Sequence, residues 1–351
     1  MTTSTSTPPP APTLPTQVGA RSRLRWPAWG WSLIGVLAVW LCIVAVRPGQ
    51  PFEPLAQALS LAPFLVLVAL GQMLVITLGP GNIDVSVGTV VSMASYVAVG
   101  VGAAAGPVIG VAAAVGAGVA AGLVSVVAIL VLRVPPIIAT LATSLIVQSC
   151  TLLLADSNRA TAGAGLRTFV NAKLLGVPVM ALLVVVVTAL VAVVLARTRF
   201  GLGVLAVGQS PRAAERAGVR VWRVTAITYV VSGALAGLAG GLLAAFISPS
   251  TVLGTSYMLD SVAVVVIGGT LISGGRAVPV GAWTGALFFV LLSGLLNLVG
   301  WSVGAQNILK GVLVVAVVVV SAAATGTGRS ALARLRDSLT MTAKKKENTH
   351  G

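Results

Sequence analysis

Long apolar segments follow one another along most of the chain, and only short polar stretches separate them. Hydrophobic residues make up 57% of the 351 residues, whereas Asp, Glu, Lys and Arg together make up 8%. A soluble domain carries roughly 25% charged residues, so a water-facing surface cannot be built from this composition. The sequence therefore predicts an all-α, polytopic membrane protein with little material for an extramembrane catalytic domain.

Ten apolar segments are long enough to enter or cross a bilayer, at about 20 residues for each crossing. They span residues 31–46, 59–78, 85–105, 107–132, 136–155, 174–196, 224–247, 259–272, 278–299 and 303–324. The segment at 259–272 is short enough to be re-entrant. We therefore expect about ten transmembrane or re-entrant helices.

Polar tails flank this membrane domain, which covers residues 27–325. Residues 1–26 begin with a stretch rich in Thr, Ser and Pro, which cannot bury enough apolar surface to fold and predicts a disordered cytoplasmic tail. Residues 326–351 predict a basic cytoplasmic tail.

The positions of Lys and Arg predict which ends of the segments face the cytoplasm, because cationic loops are retained there. Six basic residues lie in the connection 197–223, against the single acid Glu215, and six more lie between 329 and 351. With ten crossings, this connection and both termini fall on the same, cytoplasmic face. The net charge of +15 does not indicate nucleic acid, since the basic residues form no patch with interleaved aromatics.

Two carboxylates, Asp84 and Asp260, lie within or beside apolar segments. A charged Asp at the centre of a membrane helix costs about 2.5–3.5 kcal/mol on insertion scales, so protein or water must satisfy it. Each Asp could cap a helix N-terminus with the help of Ser86 or Ser261, or could contact a transported solute. The sequence Gly79-Pro80-Gly81 ahead of Asp84 also predicts a broken helix whose free peptide groups line a cavity.

The connection 197–223 contains a second feature, the sequence GQSPRAAERAGV at residues 208–219. Ser210 is a suitable N-cap, Pro211 fits the first helical position and Gly218 would end the helix. A helix of two turns is marginal by itself. Either a partner subunit receives it, or it is a basic loop with a chance helical turn.

Motifs for enzymatic chemistry are missing. The sequence has no GxxxxGK[ST] phosphate-binding loop, and its one histidine, His350, lies near the C-terminus. Only Cys42 and Cys150 are present, both in apolar segments, so there is no CxxC metal spacing. We expect no enzymatic activity and no bound metal.

Several short motifs, taken in order over about residues 60–322, resemble the permease subunit of bacterial ATP-binding-cassette importers for ribose, xylose and related sugars. These subunits are the inner-membrane components of binding-protein-dependent transport systems. The motifs are Gly71–Ile76, Ile83–Gly88, Val134–Leu141, Arg199–Gly201, Gly208, Pro211–Ala214, Ala217–Val219, Leu259–Ala263, Ile267–Thr270, Gly274–Gly275, Leu296–Leu298, Gln306 and Lys310–Gly311.

The resemblance implies that the helix from Pro211 to Gly218 is a coupling segment that docks into a separate cytoplasmic ATPase. The residues implied at this interface are Ser210, Pro211, Arg212, Ala213, Ala214, Glu215, Arg216 and Gly218. ATP-Mg would bind to the ATPase, and this chain would bind no cofactor. A second permease subunit, identical or different, and an extracytoplasmic sugar-binding protein would complete the assembly.

The implied function is a sugar path through the bacterial plasma membrane, with Asp84, Ser86, Thr140 and Asn297 as path residues. The alternative is a self-sufficient secondary transporter or channel for small polar solutes. The chain departs from the family pattern at Gly79-Pro80-Gly81-Asn82, where a double glycine is usual, and at Ala277, where a glycine is expected.

Overall fold

The computed structural model describes residues 27–157 and 161–324, which are almost entirely helical. Its helices are α1 (Gly30–Val46), α2 (Glu53–Thr77), α3 (Val87–Ala105), α4 (Pro107–Val126), α5 (Pro136–Ser157), α6 (Ala164–Asn171), α7 (Val179–Arg197), α8 (Arg199–Gln209), α9 (Pro211–Arg216), α10 (Val221–Phe246), α11 (Thr255–Ile267), α12 (Pro279–Leu298) and α13 (Val303–Ala324). Strands β1 (Lys173–Leu174) and β2 (Val177–Pro178) form an antiparallel hairpin. The tails predicted at 1–26 and 326–351 lie outside the described residues.

Seven helices in the described ranges are long and apolar enough to cross a membrane: α2, α3, α4 with the π-helical turn Val127–Val131 that extends it, α5, α7, α10 and α12. Helix α1, helix α11 and the first part of α13 are shorter apolar helices. One of these helices lies in each predicted apolar segment, so the all-α, polytopic fold is confirmed. The number of crossings and the cytoplasmic position of the termini stay predictions.

Helices α2 and α10 form the centre of the bundle, while α4, α5 and α7 lie at its periphery. Every residue of α2 from Ala62 to Thr77 is buried. Helix α5, in contrast, exposes large apolar side chains such as Leu145, Ile146 and Leu153. A helix that is apolar on all sides fits the centre of a membrane bundle, and exposed apolar side chains on peripheral helices fit a lipid surrounding.

The chain leaves the helical conformation between α2 and α3, where the Gly-Pro-Gly sequence predicts a break. Helix α2 ends at Thr77 and α3 begins at Val87. Between them, Gly79 and Gly81 have φ values of 115° and 82°, in the left-handed region that favours glycine. The broken helix predicted ahead of Asp84 is therefore confirmed.

Helix α11 is too short to cross a bilayer by itself. Its 13 residues rise about 20 Å, whereas the hydrocarbon core is about 30 Å thick. The residue before it, Gly254, packs against Gly88 near the start of α3, and its N–H donates to Ser92 Oγ at 2.9 Å. Helix α11 therefore begins where the preceding Gly254 is buried against α3.

Helices α4 and α10 approach each other through glycines. A Cβ atom added at Gly118 on α4 would collide with the carbonyl oxygen of Gly233 on α10, and a Cβ added at Gly233 would collide with the carbonyl oxygen of Gly118. Gly122 and Gly237 continue the same contact. In lipid, small residues at such positions allow the backbone-to-backbone contact that holds helices together.

We expect Gly118→Leu to destabilise the protein, because its side chain would force α4 and α10 apart. Overpacking of this kind costs about 1–3 kcal/mol. Gly116→Leu is the matched control, since an added Cβ at Gly116 has no atom within 4 Å. Thermal unfolding of the purified protein in detergent measures the difference, and equal melting temperatures for the two variants would contradict the glycine contact.

Candidate functional site

The carboxylate of Asp84 is buried between α2 and α3, with 2% of the residue exposed. Its Oδ1 accepts hydrogen bonds from the backbone N–H of Ser86 at 3.0 Å and from Ser86 Oγ at 2.6 Å. Its Oδ2 accepts a hydrogen bond from Ser232 Oγ on α10 at 2.9 Å. Both carboxylate oxygens are thus satisfied by protein donors.

Side chains from α2 and α5 satisfy the backbone around Asp84. The amide of Gln72, oriented as its neighbours require, donates to the carbonyl oxygen of Asp84 at 3.1 Å and accepts from its N–H at 3.2 Å. Oγ1 of Thr140 accepts from the N–H of Val85 at 3.2 Å and lies 3.2 Å from the carbonyl oxygen of Ile83. These bonds replace those that a continuous helix would have made.

The hydroxyl of Tyr229 on α10 adds one more contact, donating to Asn82 Oδ1 at 3.2 Å. Together these residues form what we call the Asp84 cluster: Gln72, Asn82, Asp84, Ser86, Thr140, Tyr229 and Ser232. The cluster fixes the broken segment to three surrounding helices. Its backbone and hydroxyl donors satisfy the hydrogen bonding of a carboxylate that lies among apolar helices.

Three of the predicted path residues, Asp84, Ser86 and Thr140, belong to this cluster and are at most 2% exposed. None of the three lines the cavity described below. Asp84 bonds to the N–H of Ser86, which precedes α3, so it orders the chain just ahead of the helix. Its role in the path stays a prediction.

Sequence reasoning missed Gln72, Tyr229 and Ser232 as members of the cluster. Gln72 had a usable signal, because it is the single polar residue between Ala62 and Ile76. An amide alone in a buried apolar helix must find a partner. Ser232 and Tyr229 carried no such signal.

The capping role predicted for Asp260 and Ser261 is wrong. Helix α11 begins at Thr255, so both residues lie in its interior, where the backbone N–H groups already have helical partners. Ser261 Oγ donates to the carbonyl oxygen of Met258 at 3.0 Å. Asp260 instead forms an ion pair with Lys310 on α13, with 3.1 Å between Oδ2 and Nζ.

A cavity of about 560 Å³ adjoins this ion pair and is lined by α1, α2, α11, α12 and α13. Asn297 is the one predicted path residue that lines it. Oδ1 of Asn297 accepts a hydrogen bond from Nε2 of the buried Gln306 at 2.7 Å, which holds the end of α12 against the start of α13.

Helix α9 has the ends that its sequence predicts. Ser210 is the N-cap, with its Oγ accepting from the N–H of Ala213 at 3.3 Å, and Pro211 occupies the first helical position. Gly218 has a φ of 83°, and its N–H donates to the carbonyl oxygen of Glu215 at 2.9 Å. The next N–H donates to the carbonyl oxygen of Ala214 at 3.0 Å, which completes a Schellman motif.

One residue anchors α9 to the bundle. Ala214 is 4% exposed and packs in a cluster with Val204 and Tyr229. The remaining helix residues face outward: Pro211, Arg212, Ala213, Glu215 and Arg216 are all exposed. Of the residues predicted at a partner interface, Ala214 therefore serves as the anchor, and its exposed neighbours form the available surface.

Glycines connect the base of α9 to the end of α2. The N–H of Gly275, in the loop between α11 and α12, donates to the carbonyl oxygen of Thr77 at 2.9 Å. Gly208, near the end of α8, lies against both of these groups, and Gly274 lies against Gly79. The end of α2, the end of α8 and the loop between α11 and α12 thus meet through their backbones, with no side chain between them. This contact lies between α9 and the segment that leads to Asp84.

Comparison with known proteins identifies the family of this fold and site. Residues 55–319 match the family described as "Branched-chain amino acid transport system / permease component". The chain belongs to this permease family. The matched range contains the Asp84 cluster, the ion pair and α9, and the resemblance inferred from the sequence motifs is confirmed.

Three of the relatives are permease proteins named for sugars. The chain is 38% identical over 253 residues to the ribose import permease protein RbsC of Bacillus subtilis (strain 168), covering 71% of this chain and 78% of the relative. It is 31% identical over 297 residues to RbsC of Escherichia coli (strain K12), covering 82% and 92%. It is 30% identical over 321 residues to the galactofuranose transporter permease protein YtfT of the same strain, covering 88% and 93%. No solved structure matches the chain.

We expect Asp84→Ala to destabilise the fold, because it leaves buried donors from Ser86 and Ser232 without an acceptor. Each unsatisfied buried donor costs about 1–3 kcal/mol. Asp156→Ala is the control, since Asp156 is exposed near the end of α5. Thermal unfolding in detergent is the measurement. A melting temperature for Asp84→Ala equal to that of the control would show that the cluster does not hold the broken segment.

Proposed function

We propose that this chain is the membrane permease subunit of an ATP-driven importer that carries a sugar into a bacterial cell. The observation that carries the proposal is the similarity to ribose import permeases over most of both chains. The apolar helices support a multi-pass protein of the plasma membrane. The chain supplies the path for the solute, and it has no phosphate-binding loop of the GxxxxGK[ST] type with which to bind ATP.

The energy for transport comes from a separate cytoplasmic ATPase that binds ATP-Mg and contacts α9. A six-residue helix is unstable in isolation, yet α9 is capped at both ends and anchored through Ala214. Its exposed residues include Arg212 and Arg216. A capped basic helix with an exposed surface suits a partner that binds differently to two states of the permease and thereby shifts their populations.

The assembly contains a second permease subunit and an extracytoplasmic protein that delivers the sugar. Within this chain the proposed path residues are Asp84, Ser86, Thr140 and Asn297. Asn297 contributes directly to the cavity wall. The other three hold the broken segment in place and influence the path through its position.

Reconstituted vesicles test this function. Vesicles that contain the permease, the ATPase and the binding protein should take up D-ribose or another neutral sugar only when ATP is present on the ATPase side. Vesicles that contain the permease alone should take up none. ATP-independent uptake by the permease alone would overturn the proposal in favour of a self-sufficient carrier or channel.

We expect a cysteine at position 213 to crosslink to the ATPase, because Ala213 is exposed on α9. The native Cys42 and Cys150 are both exposed, so they are first replaced by serine. Ala213→Cys, labelled with a reagent that carries a maleimide and a benzophenone, should give on illumination a permease–ATPase product visible as a shifted band on a denaturing gel.

Ala214→Cys is the matched control for this crosslink. The two positions are adjacent in sequence, but Ala214 is buried against the bundle. Its crosslink yield should be much lower. Equal yields at the two positions, or no product at 213 in a complex that still imports sugar, would show that the exposed face of α9 is not the contact surface.

A further inference from the structure

The ion pair between Asp260 and Lys310 lies in the wall of the 560 Å³ cavity. Some hydrogen-bonding groups of the two side chains have no partner among the described residues. These side chains are 15% and 14% exposed. Among the described residues, Oδ1 of Asp260 accepts no hydrogen bond. Every side-chain oxygen or nitrogen in these residues that is shielded from solvent does have a hydrogen-bond partner. Oδ1 is therefore open to the cavity.

Lys310 also has capacity for a ligand. Its ammonium group has three donors, one of which is used by Asp260. Nζ lies 5.9 Å from the ring centre of Phe289, which is another residue of the cavity wall. The pair thus places a free acceptor and free donors side by side.

The charges of the cavity wall balance. Arg47 and Lys310 contribute two positive charges, and Glu53 and Asp260 contribute two negative ones. The uncharged polar side chains of the wall are Gln57, Ser256, Tyr257, Ser293 and Asn297. An ionic solute would lose its hydration on entering and meet no net opposite charge, whereas a neutral solute with many hydroxyl groups would meet both donors and acceptors.

We propose that this cavity is the point at which a neutral, polyhydroxylated solute of monosaccharide size binds during its passage, with Asp260 and Lys310 as its charged hydrogen-bonding residues. The volume lies within the roughly 300–1,000 Å³ of small-molecule sites. Hydroxyl groups donate to the free oxygen of Asp260 and accept from Lys310, and hydrogen bonds to ionised groups are the strong ones. The assignment rests on the proposed transport function.

Filling the cavity is the first test. Gly294 lies in the cavity wall, and a Cβ added there meets no atom within 4 Å, so we expect Gly294→Trp to place its indole at the cavity without a clash at the backbone. Gly116→Trp is the matched control on α4, away from the cavity, with equally free space. In vesicles with the ATPase and binding protein, Gly294→Trp should lower ATP-driven D-ribose uptake by more than about tenfold, while Gly116→Trp should not.

A thiol-labelling experiment detects occupancy without transport. In the chain lacking its native cysteines, Gly294→Cys should react with a membrane-impermeant thiol reagent, and excess D-ribose should slow the reaction. Ribonate, which has a similar size and a negative charge, should slow it less. The double substitution Asp260→Asn and Lys310→Gln should remove most of the protection by ribose. ATP hydrolysis by the reconstituted complex, stimulated by the binding protein, checks that this variant is folded.

The outcomes separate this proposal from the transport function. Normal uptake by Gly294→Trp would overturn the cavity assignment and leave the transport function intact. Absence of ATP-driven sugar uptake by the unchanged complex would overturn the transport function, and labelling would still decide the site. Protection by ribose would support the cavity, whereas no protection, or equal protection by ribonate, would overturn the assignment of a neutral solute.

Discussion

The requirement that every buried peptide group find a hydrogen-bond partner governs this structure. Most of the chain meets it with continuous helices, but between Thr77 and Val87 the helical pattern stops. Water is scarce at such a position, and each unpaired group would cost about 1–3 kcal/mol. Gln72, Thr140 and Asp84 supply the missing donors and acceptors, so an irregular backbone is held in one conformation.

The close approach of α10 to its neighbours makes this arrangement possible. The glycine contact with α4 fixes the position of α10. From there Ser232 reaches the carboxylate of Asp84, while Tyr229 reaches Asn82 and also packs in the apolar cluster that anchors Ala214. One central helix therefore touches both the broken segment and the base of α9. The Asp84 cluster and α9 are therefore both packed against the same helix, α10.

Local sequence signals predicted the local features of the fold. The apolar segments, the break at Gly79-Pro80-Gly81 and both ends of α9 follow from hydropathy and from residues with strong positional preferences. Contacts between distant residues did not follow. Asp260 and Lys310 are 50 residues apart, and their pairing depends on how α11 packs against α13. The prediction of a cap at Asp260 was wrong because α11 begins five residues earlier, at Thr255. The polar residues at its start do not continue the apolar pattern from which the helix was predicted.

The meeting of Thr77, Gly208 and Gly275 has a mechanical consequence. Side chains at a contact can change rotamer and so absorb a small displacement, but bare backbone cannot. A shift of α8 toward α2 would press Gly208 against the hydrogen bond from Gly275 to Thr77, so it must displace that bond or move the end of α2. The contact leaves little room for such a shift, because two of the three residues that meet there, Gly208 and Gly275, carry no side chain.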